Sequence, residues 1–306
     1  MTEYSNPIVR QRADPWVYRH TDGWYYFTAS VPEYDAVELR RSKTIQGLGT
    51  AETVTVWKKH DSGEMSCLIW APELHYARGE WFMYFAAGHT DEVFDHRVYA
   101  LTCGGGDPMT SQWRECGRID TGWDSFALDA TSFEYDGRLY FVWAQMEQGI
   151  PGHSNIYISE MSDPLTLKTK AVRLTRPVLD WECRGFLVNE GPAVLIKNGR
   201  IFITYSASAT DRNYCMGLLW AKADSDLLDA ASWHKSQTPV FTTSDEKRRF
   251  GPGHNSFTTA EDGKTDVLIY HARDYENIQG DPLYDHNRHT MAQEIRWDKN
   301  GMPVFE

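Results

Sequence analysis

Cysteine is scarce and unpatterned in this chain of 306 residues. The five, Cys67, Cys103, Cys116, Cys183 and Cys215, are odd in number, and no two stand at C-x-x-C spacing. That excludes a zinc site built on such a pair and predicts free thiols in a reducing compartment. No apolar run is long enough for a membrane-spanning helix, so no membrane partner is expected. Residues 1–5 contain neither a basic nor an apolar leader segment, so no signal peptide is visible and cytoplasmic residence is expected. Positive charge is in short supply, with 31 Lys and Arg against 43 Asp and Glu and a net charge of −12. The basic footprint that nucleic acid or an anionic membrane needs is therefore missing, whereas a neutral carbohydrate partner is compatible. Helical signal is nearly absent; residues 225–231 carry the best of it. No Pro/Gly/Ser-rich linker and no low-complexity segment interrupts the chain, which predicts one domain over residues 1–306.

What the chain has is aromatic residues, 13% of the total with 12 Trp and 16 Tyr, set in a recurring unit. The unit is a short apolar or small-residue stretch, a turn ending in Gly, and an aromatic-rich stretch. Asp14-Pro15-Trp16-Val17-Tyr18 leads through Asp22-Gly23 into Trp24-Tyr25-Tyr26-Phe27-Thr28, and four more copies follow. Their turn glycines stand at 23, 79, 137, 199 and 263, in steps of 56, 58, 62 and 64. A near-constant period of this length marks a repeat architecture. Each copy continues into a third strand-like run, such as Asn155-Ile156-Tyr157-Ile158-Ser159. A loop and a fourth short strand come next, as in Pro239-Val240-Phe241 and Pro303-Val304-Phe305. Four strands per unit, five times over, predict an all-β chain folded as a five-bladed β-propeller. A β-sandwich with irregular repeats leaves the even glycine spacing unexplained.

In a propeller the first strand of each blade lines the central channel, so one slot of different blades converges on the axis. To within a residue, that slot holds Asp14, Pro72 or Glu73, Asp129, Glu190 and His254. Singly, each has an ordinary reading: Asp14 before Pro15 starts a turn, Asp129 opens a strand, and Glu190 sits in a loop. Their recurrence at one repeat position points to a shared mouth. Glu190, inside Val188-Asn189-Glu190-Gly191-Pro192-Ala193, is the sharpest signal, because a carboxylate in an apolar run is costly unless paired or used. Two carboxylates across a pocket suit glycoside hydrolysis, one protonating the leaving oxygen and the other activating water or attacking the sugar. A third acid raises the pKa of the donor by like-charge repulsion. Trp16, Phe27 and Trp70 are expected near the same mouth as walls for a sugar face. Two readings of other classes stand beside this one. A non-catalytic sugar-binding propeller does not need three converging acids, and a metal-dependent hydrolase would draw on His254, His75 and an acid.

The stretches Arg12-Ala13-Asp14-Pro15, Trp70-Ala71-Pro72-Glu73-Leu74, Asp129-Ala130-Thr131, Asn189-Glu190-Gly191-Pro192 and Gly251-Pro252-Gly253-His254-Asn255 resemble glycoside hydrolase family 43. The likeness runs one motif per blade, in order, over essentially the whole chain. It implies a five-bladed propeller and hydrolysis with inversion, with Asp14 as general base, Glu190 as general acid and Asp129 as pKa modulator and orienter. Arg288, in Arg288-His289-Thr290-Met291-Ala292-Gln293, is implied to contact the sugar, and Trp70, Phe27 and Ala71 complete the expected substrate-binding set. No cofactor is required on this reading. His254 matches a position that in some members binds a central Ca²⁺ or Na⁺, so a structural ion near it is an expectation, although a hard cation needs several oxygen ligands. The stretches around Phe27-Thr28-Ala29-Ser30 and Trp181-Glu182-Cys183-Arg184 are similar to exo-acting α-L-arabinofuranosidase members. That implies release of terminal arabinofuranose from arabino-oligosaccharides or arabinan with α-1,5 linkages. β-Xylosidase, or dual xylosidase and arabinofuranosidase action, is the alternative within the family.

Overall fold

The computed structural model describes residues 4–306. Its hairpins follow from the turn dipeptides. Arg78-Gly79, Asp136-Gly137 and Asn198-Gly199 each place two left-handed residues between strands, with φ of 52° and 86°, 49° and 73°, and 52° and 68°. The flanking pairs Ala77/Glu80, Tyr135/Arg138 and Lys197/Arg200 are in register across them. Two left-handed residues in a two-residue loop give a turn whose twist matches that of the strands. Gly23 and Gly263 are left-handed as well, so all five repeat glycines sit between a first and a second strand.

Five antiparallel blades result, each running outward in chain order. Blade 1 is Ala13–Arg19, Tyr25–Ser30, Ala36–Ser42 and Thr53–Lys58; blade 2 is Cys67–Ala77, Glu80–His89, Glu92–Gly104 and Arg114–Arg118. Blade 3 is Ala127–Tyr135, Arg138–Gln145 and Asn155–Asp163, edged by both Thr166–Leu167 and Val172–Thr175. Blade 4 is Asn189–Lys197, Arg200–Ala207, Cys215–Lys222 and His234–Lys235. Blade 5 is Phe250–Thr259, Asp266–Arg273 and His289–Glu294. The five first strands touch their neighbours around a closed ring. The protein is an all-β five-bladed β-propeller, as the repeat predicts.

The outer edges depart from the sequence reading. Pro303–Val304 does not edge blade 5. It pairs with Arg296–Trp297 in a separate ribbon, because the chain leaves the blade where Ile295 N–H bonds to Asp266 O at 2.8 Å. The place beside the third strand of blade 5 is taken by the start of the chain. Val9 bridges Thr290, and the Asn6 side chain both donates to Ala292 O and accepts from Ala292 N. The N-terminal segment thus fastens the last blade to the first. Blade 4 is edged by His234–Lys235, with Phe241 adding one bridge to Met216. The helix expected at 225–231 is a run of turns ending in the 3-10 turn Ala230–Ser232, capped by the Asp229 side chain. Helix among the described residues is confined to four such turns.

The core lies between blades. Val142, Ile156 and Ile158 of blade 3 pack on Ile201, Ile203 and Leu219 of blade 4, all essentially without solvent contact. Each such side chain contributes about 1.5–3 kcal/mol by leaving water. This packing on both faces of every blade holds the ring of inner strands rigid, and the ring carries the site.

Candidate active site

One local feature recurs on all five inner strands and aims the functional side chains. Each strand has a register irregularity, at Ala13/Trp16, Trp70/Glu73, opposite Val142/Ala144, Glu190/Ala193 and Gly253/Ser256. Within each lies one left-handed residue: Asp14 (φ 54°), Ala71 (46°), Asp129 (53°), Gly191 (56°) and His254 (40°). A bulge of this kind re-aims a side chain. A non-glycine residue held left-handed costs about 1–3 kcal/mol, a cost that clusters at active sites and binding clamps. The repeat slot is therefore real, with two adjustments. Ala71, not Pro72 or Glu73, fills it in blade 2, and Glu190 stands one residue ahead of Gly191. Glu73 lies two residues further down the strand, buried and bonded to His75 Nε2 at 3.0 Å.

Asp14 is buried and densely held. Ser30 Oγ donates to its Oδ2 at 2.6 Å, and Ser30 Oγ itself accepts from Ala71 N at 2.8 Å. Arg288 Nη1 lies 3.4 Å from Oδ1, and His254 Nδ1 lies 3.3 Å from the same atom. The Asp14 amide donates to His271 Nδ1 at 3.0 Å. Burial pushes the Asp14 carboxyl upward, but His254 and Arg288 outweigh it and hold the group well below the ordinary carboxylate value. Burial keeps His271 neutral, with its pKa down at about 3.

The other two acids are pushed the opposite way. Asp129 accepts Gly191 N–H at 3.0 Å, so the blade 3 acid is tied to the residue beside Glu190. Burial, then the Glu190 and Asp14 charges, raise Asp129 well above its usual value. Glu190 is only half-buried, and its Oε1 accepts the Tyr214 hydroxyl at 2.7 Å. Burial raises its pKa to about 7; the Tyr214 bond opposes the rise and the Asp14 charge adds to it. One carboxyl held ionised and another held protonated near neutrality are an acid–base pair set apart by environment.

Asp14, Asp129, Glu190, His254, Arg288 and Trp70 all line one cavity of about 490 Å³. Trp70 stacks on His96 with centroids 4.0 Å apart, and Phe94, Phe126 and Phe186 add the remaining aromatic walls. Phe27 does not reach it. Every residue of Tyr25–Ser30 is buried, and Phe27 packs with Ile8, Val17 and Leu48 between blades 1 and 5. Trp16 is likewise turned down onto His75, centroids 4.7 Å apart. Ala71 is buried and acts through its amide on Ser30 rather than as a wall. The walls Phe94, Phe126, His153 and Phe186 and the supports Ser30, Tyr34, Tyr214 and His271 come from loops and later strands, outside the inner-strand motifs. Around His254, Asp14 and Asp129 are the near carboxylates, at 3.3 and 3.9 Å. Among the described residues no three His, Cys, Asp or Glu side chains are grouped to hold a metal. The two carboxylates beside His254 supply fewer oxygens than a hard cation asks for, so an ion there would have to draw the rest from water.

Known proteins share this architecture and sequence. The family model for glycosyl hydrolases family 43 matches residues 4–303. An extracellular exo-α-(1→5)-L-arabinofuranosidase of Streptomyces avermitilis is 50% identical over 302 residues, covering 99% of this chain and 63% of that protein. An extracellular exo-α-(1→5)-L-arabinofuranosidase of Streptomyces chartreusis is 51% identical over 279 residues, covering 91% and 85%. The crystal structure of α-L-arabinofuranosidase from Lactobacillus brevis superposes with a TM-score of 0.97 at 58% identity, covering 99% of this chain and 96% of that one. The chain thus spans just under two thirds of the Streptomyces avermitilis relative. All five cysteines are free, but the cytoplasmic expectation does not stand, since both Streptomyces relatives are named extracellular. Free thiols and the look of residues 1–5 are no guide to the compartment. Motif order, propeller, converging acids and matched relatives agree: the chain belongs to family 43 of the glycosyl hydrolases.

Proposed function

We propose that this chain is an inverting exo-α-L-arabinofuranosidase, acting as one catalytic domain on arabino-oligosaccharides or arabinan joined by α-1,5 bonds. The observation that carries the reading is the opposed tuning of two carboxyls in one cavity, Asp14 held ionised and Glu190 raised to about 7. The names of the Streptomyces relatives support the sugar, the linkage and the exo action, and the name of the Lactobacillus brevis enzyme supports the sugar.

In the proposed step Asp14 takes a proton from a water as that water attacks the anomeric carbon. The glycosidic bond breaks, and Glu190 gives its proton to the departing oxygen. An inverting pair stands about 6.5–9.5 Å apart to leave room for the water. Asp129, through the Gly191 amide, orients the acid, while burial and the Asp14 charge keep the proton on Glu190. Arg288 holds Asp14 and presents a buried guanidinium to the sugar hydroxyls. Trp70 supplies an apolar face for the ring. The family's chemistry needs no cofactor, and no step passes through an ion at His254.

Arabinose release from arabinotriose, compared with xylose release from xylobiose, tests the sugar. NMR of the first product tests the stereochemistry, with the inverted β-anomer expected. Asp14→Ala is expected to abolish turnover of every substrate, while Glu190→Ala spares activated aryl arabinosides relative to oligosaccharides. Near-normal turnover in Asp14→Ala, or a retained anomer, sinks the assignment.

A further inference from the structure

Arg273 ends the second strand of blade 5 and is 2% exposed. Its guanidinium is spent on backbone carbonyls. Nη1 donates to Thr210 O at 2.7 Å, and Nη2 donates to Pro282 O and to Asp285 O, each at 3.2 Å. The Asp285 carboxylate stands 3.4 Å from Nε, long for a charged pair. Burial, then the like charge of Arg288, push the Arg273 pKa down. A charge buried on these terms costs stability, and an apolar side chain of similar volume often fills such a place as well. An apolar side chain, however, cannot hold three carbonyls from two loops in the fixed fork of a guanidinium.

Those two loops support the two catalytic candidates. Thr210 begins the segment that runs to Tyr214, whose amide donates to Asp211 O at 3.2 Å and whose hydroxyl donates to Glu190 Oε1 at 2.7 Å. Pro282 begins the 3-10 turn Pro282–Tyr284, and Leu283 O within it accepts the Tyr34 hydroxyl at 2.8 Å. Tyr34 OH in turn accepts from Arg288 Nη2 at 3.1 Å, and Arg288 Nη1 lies 3.4 Å from Asp14 Oδ1. The Asp285 carboxylate, just ahead of Arg288, accepts Asn287 N at 3.1 Å and the Tyr275 hydroxyl at 2.6 Å. Thr210, Pro282 and Leu283 all line the cavity that holds the acids. One buried guanidinium therefore joins the scaffold of Glu190 to the scaffold of Asp14.

We propose that Arg273 is a positioning residue of the reaction, which holds Thr210 and the Pro282 turn together and so fixes Tyr214 on Glu190 and Arg288 on Asp14. This rests on the roles given to Asp14 and Glu190 above. Arg273→Lys keeps the charge and loses the fork. On 4-nitrophenyl α-L-arabinofuranoside its kcat/KM should fall about tenfold, since a misplacement of about 1 Å can cost about a hundredfold. Arg288 lowers the pKa of both carboxyls, and the Tyr214 bond lowers that of Glu190. Loosening these contacts raises both values, so the acidic and basic limbs of the pH profile should each move up by about half a pH unit. His254, His271 and Asp129 also face these carboxyls, and they are held by Ser206 Oγ, the Asp14 amide and the Gly191 amide. In an Arg288→Met/Tyr214→Phe background, where both contacts are gone, adding Arg273→Lys should leave the limbs in place. Tyr34→Phe cuts the link to Arg288 without touching Arg273 and should likewise raise the acidic limb, which keeps the test open if Arg273→Lys does not fold. Unmoved limbs in folded Arg273→Lys, an equal shift in the Arg288→Met/Tyr214→Phe background, or an unmoved acidic limb in Tyr34→Phe overturns the proposal, while wild-type cleavage leaves the arabinofuranosidase reading standing. A wild type that cleaves no arabinoside takes down both.

Discussion

Tyr214 donates its hydroxyl to Glu190 Oε1 at 2.7 Å while its ring lies nearly parallel to His271, centroids 5.6 Å apart with 8° between planes. His271 in turn accepts the Asp14 amide. Two stacked rings therefore connect the backbone of one catalytic candidate to the carboxyl of the other. Gly253 makes room for them: a Cβ there would lie 2.4 Å from Tyr214 Cε1.

Tyr214→Phe keeps the stack and deletes the hydroxyl. A donated hydrogen bond favours the ionised carboxyl, so its loss raises the pKa of Glu190. The basic limb of kcat/KM should move up by about 0.5–1 pH unit. On an oligosaccharide kcat should fall about tenfold with little change in KM, because proton donation matters only in the transition state. A basic limb that stays in place would mean that the hydroxyl only fills space.

The wild-type pH profile follows from the two tuned carboxyls. Activity requires Glu190 protonated and Asp14 ionised. It should fall as pH rises through about 7, and again as pH drops through the depressed Asp14 value, well below the ordinary carboxylate range. Arg288 lowers the pKa of both groups. Arg288→Met should therefore shift both limbs upward, besides lowering kcat/KM. A profile in which only one limb moves would show that the guanidinium acts on one carboxyl alone.

The sequence carried the ring of blades because each turn dipeptide is chemically constrained, and it carried the three acids because they recur in one slot. It could not carry the bulges. Whether Ala71 or Glu73 faces the axis depends on a single left-handed residue, and nothing in Trp70-Ala71-Pro72-Glu73 announces one. Phe27 was misplaced for a related reason. Its strand is buried on both faces, so alternation does not separate a channel wall from core. Tyr214, Ser30 and His153 were invisible because each acts across a blade boundary, from a segment outside the first-strand pattern. The closure of blade 5 by Val9 was hidden in the same way, since the pairing joins opposite ends of the chain.

Gly191 occupies the blade 4 slot with φ 56°, and a Cβ there would stand 3.0 Å from His254 Cγ and 3.1 Å from Nδ1. Gly191→Ala should strain the backbone and press on the His254 ring, which faces both Asp14 and Asp129. A stability loss of about 1–3 kcal/mol is expected from the φ alone. A drop in kcat/KM should accompany it, because the amide that holds Asp129 moves too. Denaturant melts and arabinoside kinetics check the two effects separately.

The last prediction concerns Glu182, which the sequence places in a loop resembling the exo-acting members and the structure places fully inside. Its two oxygens accept from Val178 N, Leu179 N, Asn189 Nδ2, the Tyr205 hydroxyl and Lys235 Nζ, at 2.7 to 3.2 Å. Five donors on one buried carboxylate leave no place for an amide nitrogen. Glu182→Gln must point an N–H at a donor and strand the Lys235 charge, which should cost about 3–5 kcal/mol. Adding Lys235→Met removes the stranded charge and should restore part of that loss, but not all, because the other donors still face the wrong group. Urea unfolding of the single and double variants measures both steps. Asn189 immediately precedes Glu190, so the same variants should also blunt catalysis on oligosaccharides more than on an aryl arabinoside. Full stability in Glu182→Gln would mean that the carboxylate is replaceable and that the acid's strand is held by backbone pairing alone.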